Sequence, residues 1–340
     1  MMVDQHSLQN AFKLALSIAL SYWFSLLMDW DLPKYSALAV LLISLDTTAA
    51  SLKKGLMRII GTIVGVFFGF FFLAYFSQDR METMIIQATF LFMVSYGMQA
   101  SKYPYAWFVA GFTPFLVWSN SYMHVNDAFY FGLYRFIETS TGIAIYTIVS
   151  ALPWPNDHST LSKSINKNSI NKELICFKIN QEYLVNSLIT SLTYLVGFIF
   201  WIYSDPPGGA AVVSLTVIYS LMILLNSLEP GKLLIWLTMS MWLVAAPFYF
   251  ILMPKMDTGF ELITALFTCS MFFGYLGSIS PVLKLAPLIM LIMSTGISNQ
   301  QSYSFISFIN TSMATILSIS IVLIIKLIIP SPDKPKLIER

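Results

Sequence analysis

The stretch Asp46 to Phe76, DTTAASLKKGLMRIIGTIVGVFFGFFFLAYF, decides the fold. It opens on a small, alcohol-rich segment, Asp46-Thr47-Thr48-Ala49-Ala50-Ser51. It passes through a basic collar of Lys53, Lys54 and Arg58, and ends in an apolar run carrying Gly61, Gly65 and Gly69. A run of that length with no polar alternation is a membrane-crossing helix, not a barrel strand. The collar marks the side of the membrane from which the helix departs, because Lys and Arg concentrate in cytoplasmic loops. Glycines four residues apart strip one helix face of side chains, so that a second backbone can come close. The same smooth face could also let helices slide during a transport cycle.

The rest of the chain repeats this character. With 57% hydrophobic and 11% charged residues, it is no ordinary soluble domain. We place twelve spans: near 11–28, 35–51, 56–76, 83–99, 104–121 and 128–152, then 183–203, 209–227, 232–253, 259–278, 281–297 and 304–329. The segments are a first six-helix repeat over 1–154, a polar cytoplasmic linker over 155–182, a second six-helix repeat over 183–330 and a cytoplasmic tail over 331–340. MMVDQHSLQN lacks a basic n-region, so the first apolar run reads as a retained helix. With both termini cytoplasmic, Lys53, Lys54, Arg58, Lys102, Lys163, Lys167, Lys232 and Lys284 fall in inner loops, and Lys34, Arg80 and Lys255 in outer ones. Lys13 and Lys326, near inner helix ends, can snorkel to the interface. Cys176 and Cys269 are expected to be free thiols, one in a cytoplasmic loop and one inside a helix.

An internal repeat is visible in the order of small matches. Ser51-Leu52-Lys53-Lys54-Gly55 aligns with Ser227-Leu228-Glu229-Pro230-Gly231, 176 positions later. Trp30-Asp31-Leu32-Pro33 is echoed by Ser204-Asp205-Pro206-Pro207, and Pro104 and Pro114 by Pro281 and Pro287. An even number of spans per repeat gives the two halves the same orientation, about an axis along the membrane normal. The glycine positions of the third helix become Leu237, Met241 and Ala245 in the ninth.

Charge inside apolar helices is the main pointer to chemistry. Arg135 and Glu138 sit in FGLYRFIETSTG, roughly 10 and 15 Å along the sixth helix from its outer end. At i and i+3 they share a face, so one reading is a self-compensating pair. The other gives Arg135 the carboxylate of an organic anion, which a guanidinium meets with two parallel hydrogen bonds, and Glu138 the exchange of a proton. In the second half these positions are Ser312 and Thr315. Asp46, about eleven residues into the second helix, is a further proton-coupling candidate, unless that helix ends early and Asp46 caps the next segment. Pro114 and Pro287 interrupt matched helices, and paired interruptions point to a midplane binding site. Thr113 and Asn120, with Asn299 and Gln300, could add polar contacts there. Gly61, Gly65 and Gly69 are helix-packing positions. No GxxxxGK[ST], HExxH or GxSxG pattern occurs, and His6, His124 and His158 are scattered. We therefore expect no enzyme, metal or cofactor, and no nucleic-acid partner.

Three pieces resemble the fusaric-acid-resistance and aromatic-acid-exporter family of bacterial inner-membrane permeases. They are Lys54-Gly55-Leu56-Met57-Arg58-Ile59-Ile60-Gly61-Thr62-Ile63-Val64-Gly65, the Ala110-Gly111-Phe112-Thr113 helix, and Arg135-x-x-Glu138-x-x-x-Gly142 followed by Leu152-Pro153-Trp154-Pro155. The resemblance implies secondary efflux of aromatic carboxylic acids or related organic anions across the inner membrane, coupled to protons, with a periplasmic adaptor as partner. A distant similarity to plant malate channels keeps a passive anion channel in view. A non-transporting assembly subunit is the third possibility, and a homo-oligomer is compatible with all three.

Overall fold

The computed structural model describes residues 5–44, 48–152, 180–226, 228–301 and 303–329. The described residues form helices throughout: α1 Gln5–Leu27, α2 Lys34–Ile43, α3 Thr48–Phe76, α4 Arg80–Ala100, α5 Pro104–Ser121 and α6 Ala128–Ala151, then α7 Gln181–Ser204, α8 Ala211–Asn226, α9 Pro230–Ser240, α10 Gly259–Leu276, α11 Pro281–Thr295 and α12 Phe305–Ile328. Of these α1, α3, α7, α9 with its continuation to Lys255, α10 and α12 are long and apolar enough to cross a membrane, while α2, α8 and α11 are shorter apolar helices. Asp46, Cys176, His158 and most of the linker and tail lie outside the described residues.

Helix starts follow local chemistry. Proline stands at the first position of α5, α9 and α11, where a missing N–H costs nothing. The Asp79 carboxylate accepts from Met81 N at 2.7 Å and Glu82 N at 3.3 Å ahead of α4, and Asn180 Oδ1 accepts from Glu182 N at 2.9 Å ahead of α7. Pro114 and Pro287 are accommodated inside α5 and α11, each of which runs through its proline as one helix.

Two expected boundaries move. The second helix stops at Ile43, not near residue 51, and Ser44 is extended, with its hydroxyl donating to Leu41 O at 2.8 Å. A side chain that bonds its own backbone competes with helix continuation. The third helix starts at Thr48 instead of near 56, because Ala49 to Lys54 are mostly good helix formers. The basic collar is thus helical.

The chain divides into two compact units, one drawn from 1–59, 132–173 and 235–308, the other from 60–131, 174–234 and 309–340. In the first unit α1 packs on α2 and α10, and α11 packs on α2, α10 and the continuation of α9. In the second, α4 packs on α5 and α7, and α8 packs on α5 and α7. Each unit therefore uses helices from both halves of the sequence. The non-glycine residues with positive φ among those described are Asp29 at 53° and Asp205 at 41°, each just beyond the first helix of its half and 176 positions apart. That spacing equals the one read from Ser51–Gly55 and Ser227–Gly231, and it makes Asp29, not Asp31, the counterpart of Asp205.

In the second unit α3 lies directly against α5. A Cβ at Gly61 would stand 2.7 Å from Ala106 O, one at Gly65 2.5 Å from Thr113 Cβ, and one at Gly69 2.7 Å from Val117 Cβ. Gly65→Ala is expected to cost about 1–3 kcal/mol through overpacking. Gly259→Ala, with nothing within 4 Å, is the control. Equal thermal unfolding of the two variants in detergent would contradict a seam this close. In the first unit the positions matching the glycines, Leu237, Met241 and Ala245, are buried, and α9 turns π-helical over Met241–Ala245 and Phe248–Leu252 on either side of Pro247. Bulkier seam residues thus coincide with a widened backbone.

Candidate functional site

The site is built on α6 where it faces α2. Arg135 is 1% exposed and Glu138 0%. Glu138 Oε1 accepts from Leu32 N at 2.9 Å, just ahead of the short helix α2. One turn on, Gly142 lets α6 touch α2, for a Cβ there would collide with Ser36 O. Gly55 does the same for the start of α3, since its Cβ would stand 2.8 Å from Ile143 Cγ2. Three small or backbone contacts therefore fix α2, α3 and α6 around one place.

Arg135 and Glu138 share a helix but do not form an ion pair with each other. An exposed ion pair joins Lys232 and Glu229 at 2.9 Å. The Arg135 guanidinium instead lies over Tyr35, its Cζ 4.4 Å from the ring centroid. Besides their mutual electrostatic attraction, each side chain has its own attachment to α2 or its approach, Arg135 through Tyr35 and Glu138 through Leu32.

Further cations converge here. Arg58 on α3 is 1% exposed and lies within electrostatic reach of both Arg135 and Lys54. Lys54 in turn feels Lys284 of α11, whose Nζ donates to Ser44 O at 3.5 Å, at the extended end of α2. Lys54 and Lys284 are half-buried. Arg58, Lys54, Lys284 and Arg135 thus gather around the break between α2 and α3, with Tyr35 beneath Arg135. Positive charge concentrated in a poorly solvated layer attracts an anion.

The sequence marks Arg58, Lys54 and Lys284 as residues of the cytoplasmic side, and Lys54 and Arg58 also as part of the family-like segment, but not as binding residues. The signal that could have separated Arg58 was its position inside an uninterrupted helical pattern, which carries its side chain past the interface. Lys13 is buried, and its Nζ donates to Ser150 O at 3.3 Å at the C-terminal end of α6, where a cation is favoured.

The remaining candidates have other surroundings. Thr113 is buried in the second unit against Gly65, and Asn120 is exposed with its Nδ2 donating to Leu116 O at 2.8 Å. Asn299 Nδ2 donates to Asp29 Oδ1 at 2.6 Å and Leu26 O at 2.9 Å, tying two loops of the first unit. Among the described residues no three His, Cys, Asp or Glu side chains come together as metal ligands would.

A model of the fusaric acid resistance protein family matches residues 7–168 and again 180–340, and two consecutive matches fit an internal repeat. No curated protein and no solved structure matches the chain. Matches over nearly the full length, on an all-helical chain rich in apolar spans, place it among multi-pass membrane proteins with a transport role. The chain belongs to the fusaric acid resistance protein family.

Proposed function

We propose that the protein exports aromatic carboxylic acids or related organic anions across the inner membrane, coupled to protons. The observation that carries this is the gathering of Arg58, Lys54, Lys284 and Arg135 around the α2–α3 break. Fusaric acid, after which the family is named, is itself a pyridine carboxylic acid, and its carboxylate suits a guanidinium fork. In this reading Arg135 meets the carboxylate, Glu138 exchanges the proton, and Asp46 is a second proton-exchanging carboxyl.

Two six-helix repeats in parallel orientation, with cytoplasmic termini, complete the proposal. Exchanging the halves maps the α1–α10 and α2–α11 contacts onto α7–α4 and α8–α5, which supports an internal repeat. The excess of Lys and Arg on one side of the assigned topology supports its orientation. A periplasmic adaptor protein or a second copy of the chain is the assembly partner to be sought by cross-linking.

Reconstitution tests the function. Proteoliposomes loaded with a hydroxybenzoate are expected to release it faster when a proton gradient is imposed, and Arg135→Ala to lower that rate about tenfold or more, the worth of a charged hydrogen bond. Flux that ignores the proton gradient and follows membrane voltage would make the protein an anion channel. No flux for any organic anion would make it an assembly subunit.

A further inference from the structure

One group of buried polar atoms in the first unit is not used by the anion site. Tyr22 of α1, Ser36 of α2, and Glu138 and Thr139 of α6 are each at most 1% exposed. Tyr22 Oη, Ser36 Oγ, Glu138 Oε2 and Thr139 Oγ1 nevertheless make no hydrogen bond to protein. Their helix segments meet around Glu138. Tyr22 is in electrostatic reach of Glu138, and Ser36 sits on Gly142 one turn beyond the Leu32–Glu138 bond. The charged neighbours of Glu138 are Lys34, Arg135 and Asp31.

The serines of α1 sharpen the case. Ser17, Ser21 and Ser25 recur every fourth residue on one face, and all three are fully buried. Ser17 behaves as a helix serine in an apolar layer does, with its hydroxyl donating to Lys13 O at 2.7 Å. Ser21 and Ser25 have the same option and do not take it, and their hydroxyls too lack a protein partner. Buried polar atoms are almost always satisfied by protein or by water, and a carboxylate oxygen and several hydroxyls together are what an internal water binds, with about three hydrogen bonds each.

We propose that Glu138 Oε2, Tyr22 Oη, Ser36 Oγ and Thr139 Oγ1 enclose a cluster of internal water molecules, extended along α1 by Ser21 and Ser25, which carries protons to and from Glu138. Each water takes a proton from one neighbour and gives up another to the next, so a proton entering at one end appears on Glu138 and the hydrogen bonds of the chain reverse, to be restored when the waters turn. The proton-carrying role rests on the proposed coupling through Glu138; the hydration of the cluster does not.

Two measurements test it. The first is X-ray hydroxyl-radical footprinting of the wild-type protein in nanodiscs, in which a bound water oxidises the side chain it touches. Tyr22 is expected to be modified severalfold faster than Tyr194, which is as deeply buried but donates its hydroxyl to Gln87 Oε1 at 2.7 Å. Equal, slow rates would overturn the proposal. The second is thermal unfolding of Tyr22→Phe, which removes only the hydroxyl. A hydrated cluster loses a hydrogen bond and the melting temperature falls; a dry seam loses an unsatisfied group and the melting temperature stays or rises, which would also overturn it. If Tyr22 is labelled while efflux ignores the proton gradient, the water cluster stands and the coupling role falls.

Discussion

Gly142→Val is expected to remove most of the folded protein from the membrane. A Cβ at this position would collide with Ser36 O, and would also meet Ser36 C at 2.9 Å and Ser36 Cα at 3.1 Å. These are backbone atoms, so no rotamer change makes room. Either α2 moves away from α6 or α6 bends, and both moves break the Leu32–Glu138 bond one turn earlier. Overpacking of this kind costs about 3 kcal/mol, a large part of a typical folding free energy. The control is Gly231→Ala, whose added Cβ meets nothing within 4 Å. Yield of monodisperse protein after detergent extraction, read by size exclusion of a fluorescent fusion, checks it. Wild-type yield for Gly142→Val would mean that α2 and α6 do not pack as described.

The second large effect is a split between two substitutions of Glu138. Glutamine keeps an oxygen where Oε1 accepts from Leu32 N, so Glu138→Gln is expected to fold and extract as wild type. It cannot exchange a proton, so efflux from proteoliposomes should lose its response to an imposed proton gradient while downhill anion movement persists. Alanine removes the acceptor as well. Glu138→Ala is expected to lose about 1–3 kcal/mol from the abandoned N–H and to melt below both. A full proton response in Glu138→Gln would assign coupling to another group, for which Asp46 is the first candidate. Equal melting of the two variants would show that the bond to Leu32 contributes little.

Both experiments act on the same short helix. α2 has ten residues, too few to cross a bilayer, and its N-terminal approach is held by Glu138 while its C-terminal end at Ser44 receives Lys284. In the proposed mechanism, a short helix fixed at both ends by charged side chains leaves backbone polar groups free to take part in anion and proton handling. The glycines of α3, by contrast, are taken up by contact with α5, which makes packing the better account of their spacing.

Much of the architecture was legible in the sequence. Long apolar runs have one stable state in a bilayer, because a helix satisfies its own backbone; the spans at 104–121, 128–152 and 281–297 were therefore placed to within about two residues. Proline starts and the recurrence at 176 positions were equally readable, since both are local chemistry. Arg135 and Glu138 stood out because a charge inside an apolar helix needs a reason. Their partners could not be read. Pairing at i and i+3 is the local option, whereas the contacts to Tyr35 and Leu32 reach about a hundred residues away along the chain. The sequence by itself determined which segments are helices and which charges lie among apolar residues, because helix formation and burial in a membrane depend on short stretches. Only the tertiary structure decided that α2 ends at Ile43, that Arg58 is buried within electrostatic reach of Arg135, and that Tyr22 comes within reach of Glu138, because these depend on which helices meet.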